Sequence, residues 1–328
     1  MLVHDTSSSR IQRAASICSL ALFGTLVATL AQASDPASVP LHSEWSIAMS
    51  HASLPGAGCF TADYPSTTWT QVSCTSAPDV PFEPAHNRAV GFGNDYAATV
   101  SNSISSAMGS FSAISGLTSE KSAGVSNQYS LQMNVPYFSS PACASSPDPS
   151  GCQAWQQFVF SQPGGKSSAS SAFMVYWLIN YAAYCPSGWH QAALNCWIAS
   201  DAVQIPKQKL SALGDLKLTG AAVSGGNDAV TFTTLKKAYA IDAVDSMLAL
   251  AGNWRGTEFN ILGNGAGSQA NFNAGSQITV NIELSDGSKT APACRTNTIF
   301  TYETNNLDLD ACKVKAGRNP SITFTESN

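Results

Sequence analysis

Short runs of alternating apolar and polar residues recur from residue 94 to the end of the chain. Most are bounded by Gly, Pro, Asn, Asp or Ser, which is typical of β-strands separated by turns. The runs that predict strands are 96–101, 110–114, 129–134, 155–161, 173–181, 216–223, 229–234, 237–243, 257–262, 277–284 and 322–325. Helical patterns are limited to 207–213 and 244–251, and the glycine-rich run 263–267 predicts a hairpin loop. Many short strands with little helix predict an all-β fold, a two-sheet antiparallel β-sandwich.

The beginning of the chain predicts a leader that is removed. Arg10 and Arg13 precede the apolar run 17–30, and Ala31-Gln32-Ala33 follows it as a small-x-small cleavage site. We therefore predict a signal peptide over 1–33. No later run reaches the roughly 18 apolar residues of a spanning helix, so we predict no association with a membrane.

Two further segments are predicted beyond the signal peptide. Residues 34–90 are rich in Pro and Gly and show little periodicity, which indicates an N-terminal extension or a pro-segment with one disulfide. An extension that packs on the rest of the protein is the preferred interpretation. Residues 91–328 then form the β-sandwich domain.

The cysteines predict disulfide-stapled loops. The sequence has nine cysteines, and all except Cys18 lie beyond the predicted signal peptide. They fall into four neighbouring pairs, namely Cys59–Cys74, Cys143–Cys152, Cys185–Cys196 and Cys294–Cys312. Close pairs in even number predict local disulfides and an oxidising compartment, so we predict a secreted protein, extracellular or periplasmic. The spacings match no zinc pattern, and we predict no metal site and no free thiol nucleophile.

Composition and motifs exclude several classes of function. Charged residues make up only 11% of the chain, against roughly 25% in an average soluble protein, and the formal net charge is -5. No basic patch is present, which excludes nucleic acid as a partner. The sequence contains no Gly-x-Ser-x-Gly elbow, no His-Glu-x-x-His run and no phosphate-binding loop, and we predict no cofactor. A surface with few carboxylates changes its charge little as pH falls, which is compatible with acidic surroundings.

A carboxylate and an amide remain as candidate chemistry. Glu258 and Asn260 alternate with apolar residues on one predicted strand, and Trp155 and Gln157 do so on another, so all four face away from the core. A carboxylate can accept a proton from water while an amide N–H donates to the oxyanion that forms on a carbonyl. We predict Gln157 and Glu258 as this catalytic pair, with Trp155 and Asn260 binding substrate. An outward Glu is more often simply solvated, and Glu303, in a polar turn, is a reserve candidate that otherwise stabilises the turn.

The order of several segments resembles that of the glutamic peptidases called eqolisins. Residues 94–98 and 109–111 stand where that family has an Asn-Trp-x-Gly-like strand and a Gly-Thr-Phe strand. Residues 155–157 stand at its Leu-Gln step, which carries the catalytic glutamine. Residues 257–259 match its Ala-Glu-Trp strand, which bears the catalytic glutamate. The segment 175–178 resembles the aromatic strand between them.

The resemblance implies a concanavalin-like jelly roll and an acid-acting endopeptidase that cleaves protein or peptide substrates. Glu258 would be its general base and Gln157 its oxyanion donor, with Gln156 as the alternative if the strand register differs by one. Leu178 stands where the family has a glutamate, and the added disulfides and the extension are not typical of it.

Two other classes of function use the same architecture. A lectin-like module would bind polysaccharide by stacking sugar rings on tryptophans, for which the candidates are Trp155, Trp177, Trp189 and Trp254. A structural extracellular protein would also have an uncharged, Ser-rich surface.

Overall fold

The computed structural model describes residues 41–79, 82–83, 95–165, 169–296 and 301–328. The predicted signal peptide and residues 34–40, 80–81 and 84–90 of the predicted extension lie outside these ranges. The described residues form one α-helix, His42–Ser50 (α1), and short 3₁₀ helices at Pro141–Ser145, Leu210–Asp215 and Asp245–Met247. All other regular structure is β.

Short strands follow one another along the described parts of the chain. The first twelve are Gly58–Asp63 (β1), Thr70–Val72 (β2), Thr75–Ser76 (β3), Ala97–Thr99 (β4), Ser106–Ser115 (β5), Glu120–Ser122 (β6), Val125–Ser126 (β7), Tyr129–Asn134 (β8), Gln153–Gln162 (β9), Ser170–Ile179 (β10), His190–Ala192 (β11) and Asn195–Ala199 (β12). The others are Asp201–Ile205 (β13), Lys217–Ala222 (β14), Asn227–Thr233 (β15), Lys237–Val244 (β16), Gly256–Leu262 (β17), Gln269–Phe272 (β18), Gln277–Ser285 (β19), Ala293–Arg295 (β20), Thr304–Asn305 (β21), Asp308–Leu309 (β22), Lys313–Lys315 (β23) and Ser321–Ser327 (β24).

Two large antiparallel sheets pack face to face. The back sheet has the strand order β2-β1-β16-β15-β14-β5-β19-β24-β22, with β23 also paired to β24. The front sheet has the order β11-β12-β10-β9-β8-β17-β4-β20, with β13 on β10 and β3 on β13. A third, smaller sheet, β21-β18-β6-β7, includes one parallel pair, β18 with β21. The predicted two-sheet antiparallel sandwich is confirmed, and every run predicted to be a strand overlaps an observed one.

The predictions outside the strands agree less well with the structure. The two helical stretches contain only short 3₁₀ turns, at Leu210–Asp215 and Asp245–Met247. The hairpin predicted at 263–267 is wrong, because the strands on its two sides do not pair with each other. β17 pairs with β8 and β4, whereas β18 leaves the front sheet and pairs in the third sheet with β6 and β21.

The described part of the predicted extension contributes strands to both large sheets. β1 pairs with β16 over its whole length, and β3 pairs with β13 at the edge of the front sheet. The helix α1 packs Trp45 and Met49 against Ala62 and Ala238. The described residues of this segment pack on the sandwich, and its assignment as an N-terminal extension or as a pro-segment stays a prediction.

All four predicted disulfides are confirmed. Each joins the cysteines of one neighbouring pair and closes a short loop: Cys59–Cys74, Cys143–Cys152, Cys185–Cys196 and Cys294–Cys312. The loops of this sandwich are therefore disulfide-stapled as predicted.

Phenylalanines of the front sheet fill the space between the two large sheets. The ring of Phe259 lies over Gly109 of β5, where an added Cβ would be 2.0 Å from the ring. The ring of Phe160 stacks on Phe232 of β15, with 4.2 Å between the centroids. We call this side of the front sheet its inner face. Because successive side chains of a strand alternate, the residues directly before and after these phenylalanines on β17 and β9 point to the opposite side, the outer face.

The close approach of Phe259 to Gly109 yields a prediction about stability. Gly109→Ala should lower the free energy of unfolding by about 1–3 kcal/mol, because the methyl group overlaps the ring and the sheets must move apart. Gly56→Ala is the control, since an added Cβ there meets nothing within 4 Å. Urea unfolding of both variants measures the difference, and equal stabilities would contradict the described packing of the sheets.

Candidate functional site

Gln157 and Glu258 lie in one row across the front sheet. Glu258 of β17 pairs with Asn134 of β8, and Asn134 pairs with Gln157 of β9. Directly paired residues share a face, so all three side chains project from the outer face. Adjacent strands are about 4.8 Å apart, which puts the backbones of Gln157 and Glu258 roughly 10 Å from each other. The amide and the carboxyl are thus brought together, with Asn134 between them.

The side-chain amide of Gln157 is held by three neighbours. Its Nε2 donates to Asn134 Oδ1 at 3.0 Å and to Gln132 Oε1 at 3.2 Å. Its Oε1 accepts from Trp177 Nε1 at 3.1 Å. The indole N–H of Trp177 can only donate, so it fixes which end of the amide is the oxygen. The N–H donors of Gln157 therefore point along the row toward Asn134 and Glu258.

Glu258 has a buried carboxyl group that accepts no hydrogen bond from the described residues. Its side chain is only 1% exposed, and within the described part of the chain neither oxygen has a hydrogen-bond partner. Burial raises its pKa well above the usual value, and the charge of Glu326 adds to the rise. The nearby Asn134 amide opposes the rise by lowering the pKa. In this covered state the protonated, neutral form of Glu258 is the favoured one.

Further carboxyl groups surround Asn260, the predicted substrate-binding residue of β17. Asn260 Nδ2 donates to Asp95 and to Glu326 of β24, and Asn305 Nδ2 donates to Glu326 Oε2 at 2.9 Å. Burial raises the pKa of Asp95 well above its usual value, and the charges of Glu326 and Glu258 add to the rise. Burial likewise raises the pKa of Glu326 to about 8. The NH₂ group of Asn260 thus donates to two acids of its own chain, and its Oδ1 accepts from the backbone N–H of Ile261 at 2.7 Å.

The reserve candidate Glu303 belongs to the same network. It is fully buried, with Oε1 accepting from the backbone N–H of Gly267 at 3.0 Å and Oε2 accepting from Gln132 Nε2 at 3.5 Å. Thr301 Oγ1 also donates to it. Burial raises the pKa of Glu303 to about 7, against the lowering effect of these donors. Through Gln132, it is linked to the amide of Gln157.

Gln156, the alternative register, lies on the inner face. Its Nε2 donates to Oδ2 of Asp228 on the back sheet at 2.8 Å. Burial raises the pKa of Asp228 to about 8. Gln156 is therefore turned away from Glu258, and the structure brings Gln157 rather than Gln156 into the row.

The candidate tryptophans are mostly enclosed. Trp155 is fully buried on the outer face, with its ring 6.0 Å from that of Tyr137 and 6.2 Å from that of Trp177. Trp177 and Trp254 are also buried, whereas Trp189 is partly exposed. In this state Trp155 lies in the row next to that of Gln157, and it presents no ring face to a sugar.

Four residues of the network, Gln132, Asn134, Asp95 and Glu326, were not predicted from the sequence. The first two were detectable, because Ser130, Gln132 and Asn134 alternate with apolar residues along β8 and form the same outward polar face. Asp95 and Glu326 reach the site from opposite ends of the described domain, and no local pattern marks them.

The described residues contain no metal site and no spanning helix. No group of three or more His, Cys, Asp or Glu side chains among them is placed to hold a metal ion. Nor does any helix in these ranges have the length and apolar character needed to cross a bilayer.

Comparisons with known proteins show remote similarity to glutamic peptidases. No protein-family model and no curated protein matches the chain. Scytalido-glutamic peptidase with a peptide-based transition-state analogue is 14% identical with a TM-score of 0.35, over 71% of this chain and 96% of the peptidase. A second structure of it, with a transition-state analogue inhibitor, is 14% identical with a TM-score of 0.37, over 72% of this chain and 98% of the peptidase. SCP-B, an eqolisin in complex with the tripeptide Ala-Ile-His, is 12% identical with a TM-score of 0.34, over 70% of this chain and 96% of SCP-B.

The buried acids predict that the protein is most stable in acid. An unfolded Glu has a pKa of about 4.3, whereas the folded-state pKa is about 8 for Glu326 and about 7 for Glu303. Groups with raised pKa values contribute full stability below the unfolded value, and this is lost as pH rises through the folded value. The urea concentration at the midpoint of unfolding should therefore decrease as the pH rises from about 4 to about 8.

Substitution measures the contribution of one of these groups. Glu326→Gln should make this pH dependence less steep, because the amide has no proton to lose in this range. Asp308→Asn, at an exposed acid of β22, should leave it unchanged. A midpoint that rises from pH 4 to pH 8 in the unsubstituted protein would contradict burial of these carboxyls in neutral form.

Proposed function

We propose that this protein is a secreted endopeptidase of the glutamic type, acting on proteins or peptides in acidic medium with Glu258 and Gln157 as its catalytic pair. The observation that carries the proposal is the shared row on the outer face, where Glu258, Asn134 and Gln157 occupy paired positions on three adjacent strands. The four disulfides and the predicted signal peptide support export.

Glu258 would activate water. Its carboxyl is buried and lacks a described hydrogen-bond partner, so both of its oxygens can accept hydrogen bonds from a bound water. As a base it must be ionised, and entry of substrate and water would reduce the desolvation that raises its pKa. The ionised carboxylate then takes a proton from water as the oxygen attacks the peptide carbonyl.

Gln157 would stabilise the negative charge that forms on the carbonyl oxygen. Trp177 holds Gln157 Oε1, which leaves Nε2 directed along the row as the donor. A peptide carbonyl placed near Asn134 would accept this N–H in place of the present acceptors. Glu258, now protonated, returns its proton to the leaving nitrogen, the C–N bond breaks, and water has been added across it.

Substitution of Glu258 tests the proposal. Glu258→Gln should abolish cleavage of unfolded casein at about pH 4, because loss of a general base costs roughly 10²–10⁴ in rate. Gln157→Leu should lower kcat by about 10²–10³, since one oxyanion donor is lost. The measurement is release of new amino termini, together with the thermal unfolding midpoint of each variant.

Glu120→Gln is the matched control. Glu120 is also a buried glutamate, with its pKa raised by burial to about 8, but it lies on β6 of the third sheet, outside the row. This variant should cleave casein like the unsubstituted protein. Undiminished cleavage by folded Glu258→Gln would remove Glu258 from the mechanism. Retention on insoluble polysaccharide without cleavage of casein by any form would favour the lectin-like alternative.

A further inference from the structure

The row lies on the outer face of a sheet, and yet it is closed to solvent. Gln157 is 0% exposed and Glu258 is 1% exposed. A peptide cannot reach these groups unless something above them moves. The residues that cover this face therefore occupy space that a bound substrate would need.

Phe82 is a described residue that lies over the outer face. Its side chain is 1% exposed, and its ring packs against Phe173 of β10 with 6.0 Å between the centroids. Phe173 pairs with Val159, and Val159 pairs with Gln132. These three form the row next to that of Gln157 and Asn134, about 7 Å away along the strands.

The backbone beside Phe82 is held through one carbonyl group. The carbonyl oxygen of Glu83 accepts from the backbone N–H of Tyr302 at 3.1 Å and from Thr301 Oγ1 at 3.3 Å. Thr301 also donates to Glu303, which accepts from Gln132. Main-chain hydrogen bonds combined with a pocket for a neighbouring side chain are one recurring way in which proteins bind peptides.

We infer that the hollow over Phe173 and Val159 is a subsite for an aromatic side chain of the substrate, and that Phe82 occupies it as an intramolecular stand-in. This rests on the proposed function for its purpose, but the binding itself does not require catalysis. A peptide with Phe at the matching position would enter when Phe82 leaves, with its backbone in the place of Glu83. Its next residues would then lie over the row of Gln157 and Glu258.

The apolar walls determine the class of side chain. Phe173 and Val159 are fully buried, and a neighbouring aromatic ring prefers a tilted or edge contact such as the present one with Phe82. A Ser or Asp side chain would lose its hydration there without gaining a partner. The inferred ligand is therefore a peptide with Phe, Tyr or Trp at this position.

The test measures binding in the Glu258→Gln background, where no cleavage occurs. A fluorescent short peptide with a central Phe is titrated against this protein with Phe82 intact and with Phe82→Ala. Removal of an internal competitor increases the fraction of binding-competent molecules, so Phe82→Ala should bind on the order of tenfold more tightly. The same peptide with Ser in place of Phe should show no such gain.

Two further variants separate this effect from loss of stability. Phe272→Ala removes another buried phenylalanine, on β18 of the third sheet, and should give no gain in affinity. Phe82→Leu leaves a smaller occupant that still fills part of the hollow, and it should give an intermediate affinity even if Phe82→Ala does not fold.

The outcomes distinguish this inference from the proposed function. Equal affinity of the Phe82 variants and their parent would overturn the subsite, as would an equal gain for the Ser peptide. A gain specific to the Phe peptide supports the subsite. If Phe82→Ala with Glu258 intact then binds that peptide and does not cleave it, the subsite stands and the peptidase proposal fails alone.

Discussion

The burial of polar side chains on the outer face of the front sheet is the constraint on which the site depends. An amide or carboxyl removed from water is costly unless another group of the protein satisfies it. Here the amides of Gln132, Asn134 and Gln157 largely satisfy one another, and Trp177 supplies a further donor. Both oxygens of Glu258 lack a described partner, as do Asp95 Oδ2 and the indole nitrogen of Trp155. Glu258 is therefore the group of the row at which a ligand or a proton has most to contribute.

The rigidity of this row comes from the other side of the same strands. Alternation means that each outward residue is flanked along its strand by residues packed between the sheets. Phe259 follows Glu258 directly, and its ring fits the space left by Gly109. Phe158 follows Gln157, and its ring fits over Gly220 in the same way. The positions of the amide and the carboxyl are therefore determined by close contacts between the two sheets, which tolerate little movement.

Much of this could be predicted from the sequence because the relevant signal has a period of two. Alternation alone put Gln157 and Glu258 outward and their phenylalanine neighbours inward. The order of strands within a sheet has no comparable local signal, so the intervening strand with Asn134 was not anticipated. Long-range contacts explain the other differences. Gln156 is outside the row because it pairs with Asp228 of the opposite sheet, and Glu326 approaches Asn260 from the far end of the chain.

A single cause, exclusion of water, accounts for both the raised pKa of Glu258 and its inaccessibility. Desolvation disfavours the carboxylate, and the cover that desolvates Glu258 also prevents a peptide from reaching it. In the proposed mechanism, Glu258 would gain its charge only when water and substrate enter, so that uncovering and ionisation would be coupled. The contact between Phe82 and Phe173 lies on the same outer face, one row away from Gln157. If a substrate ring replaced Phe82 there, as inferred above, the backbone of the substrate would displace that of Glu83, and binding of the substrate would be linked to activation of the base.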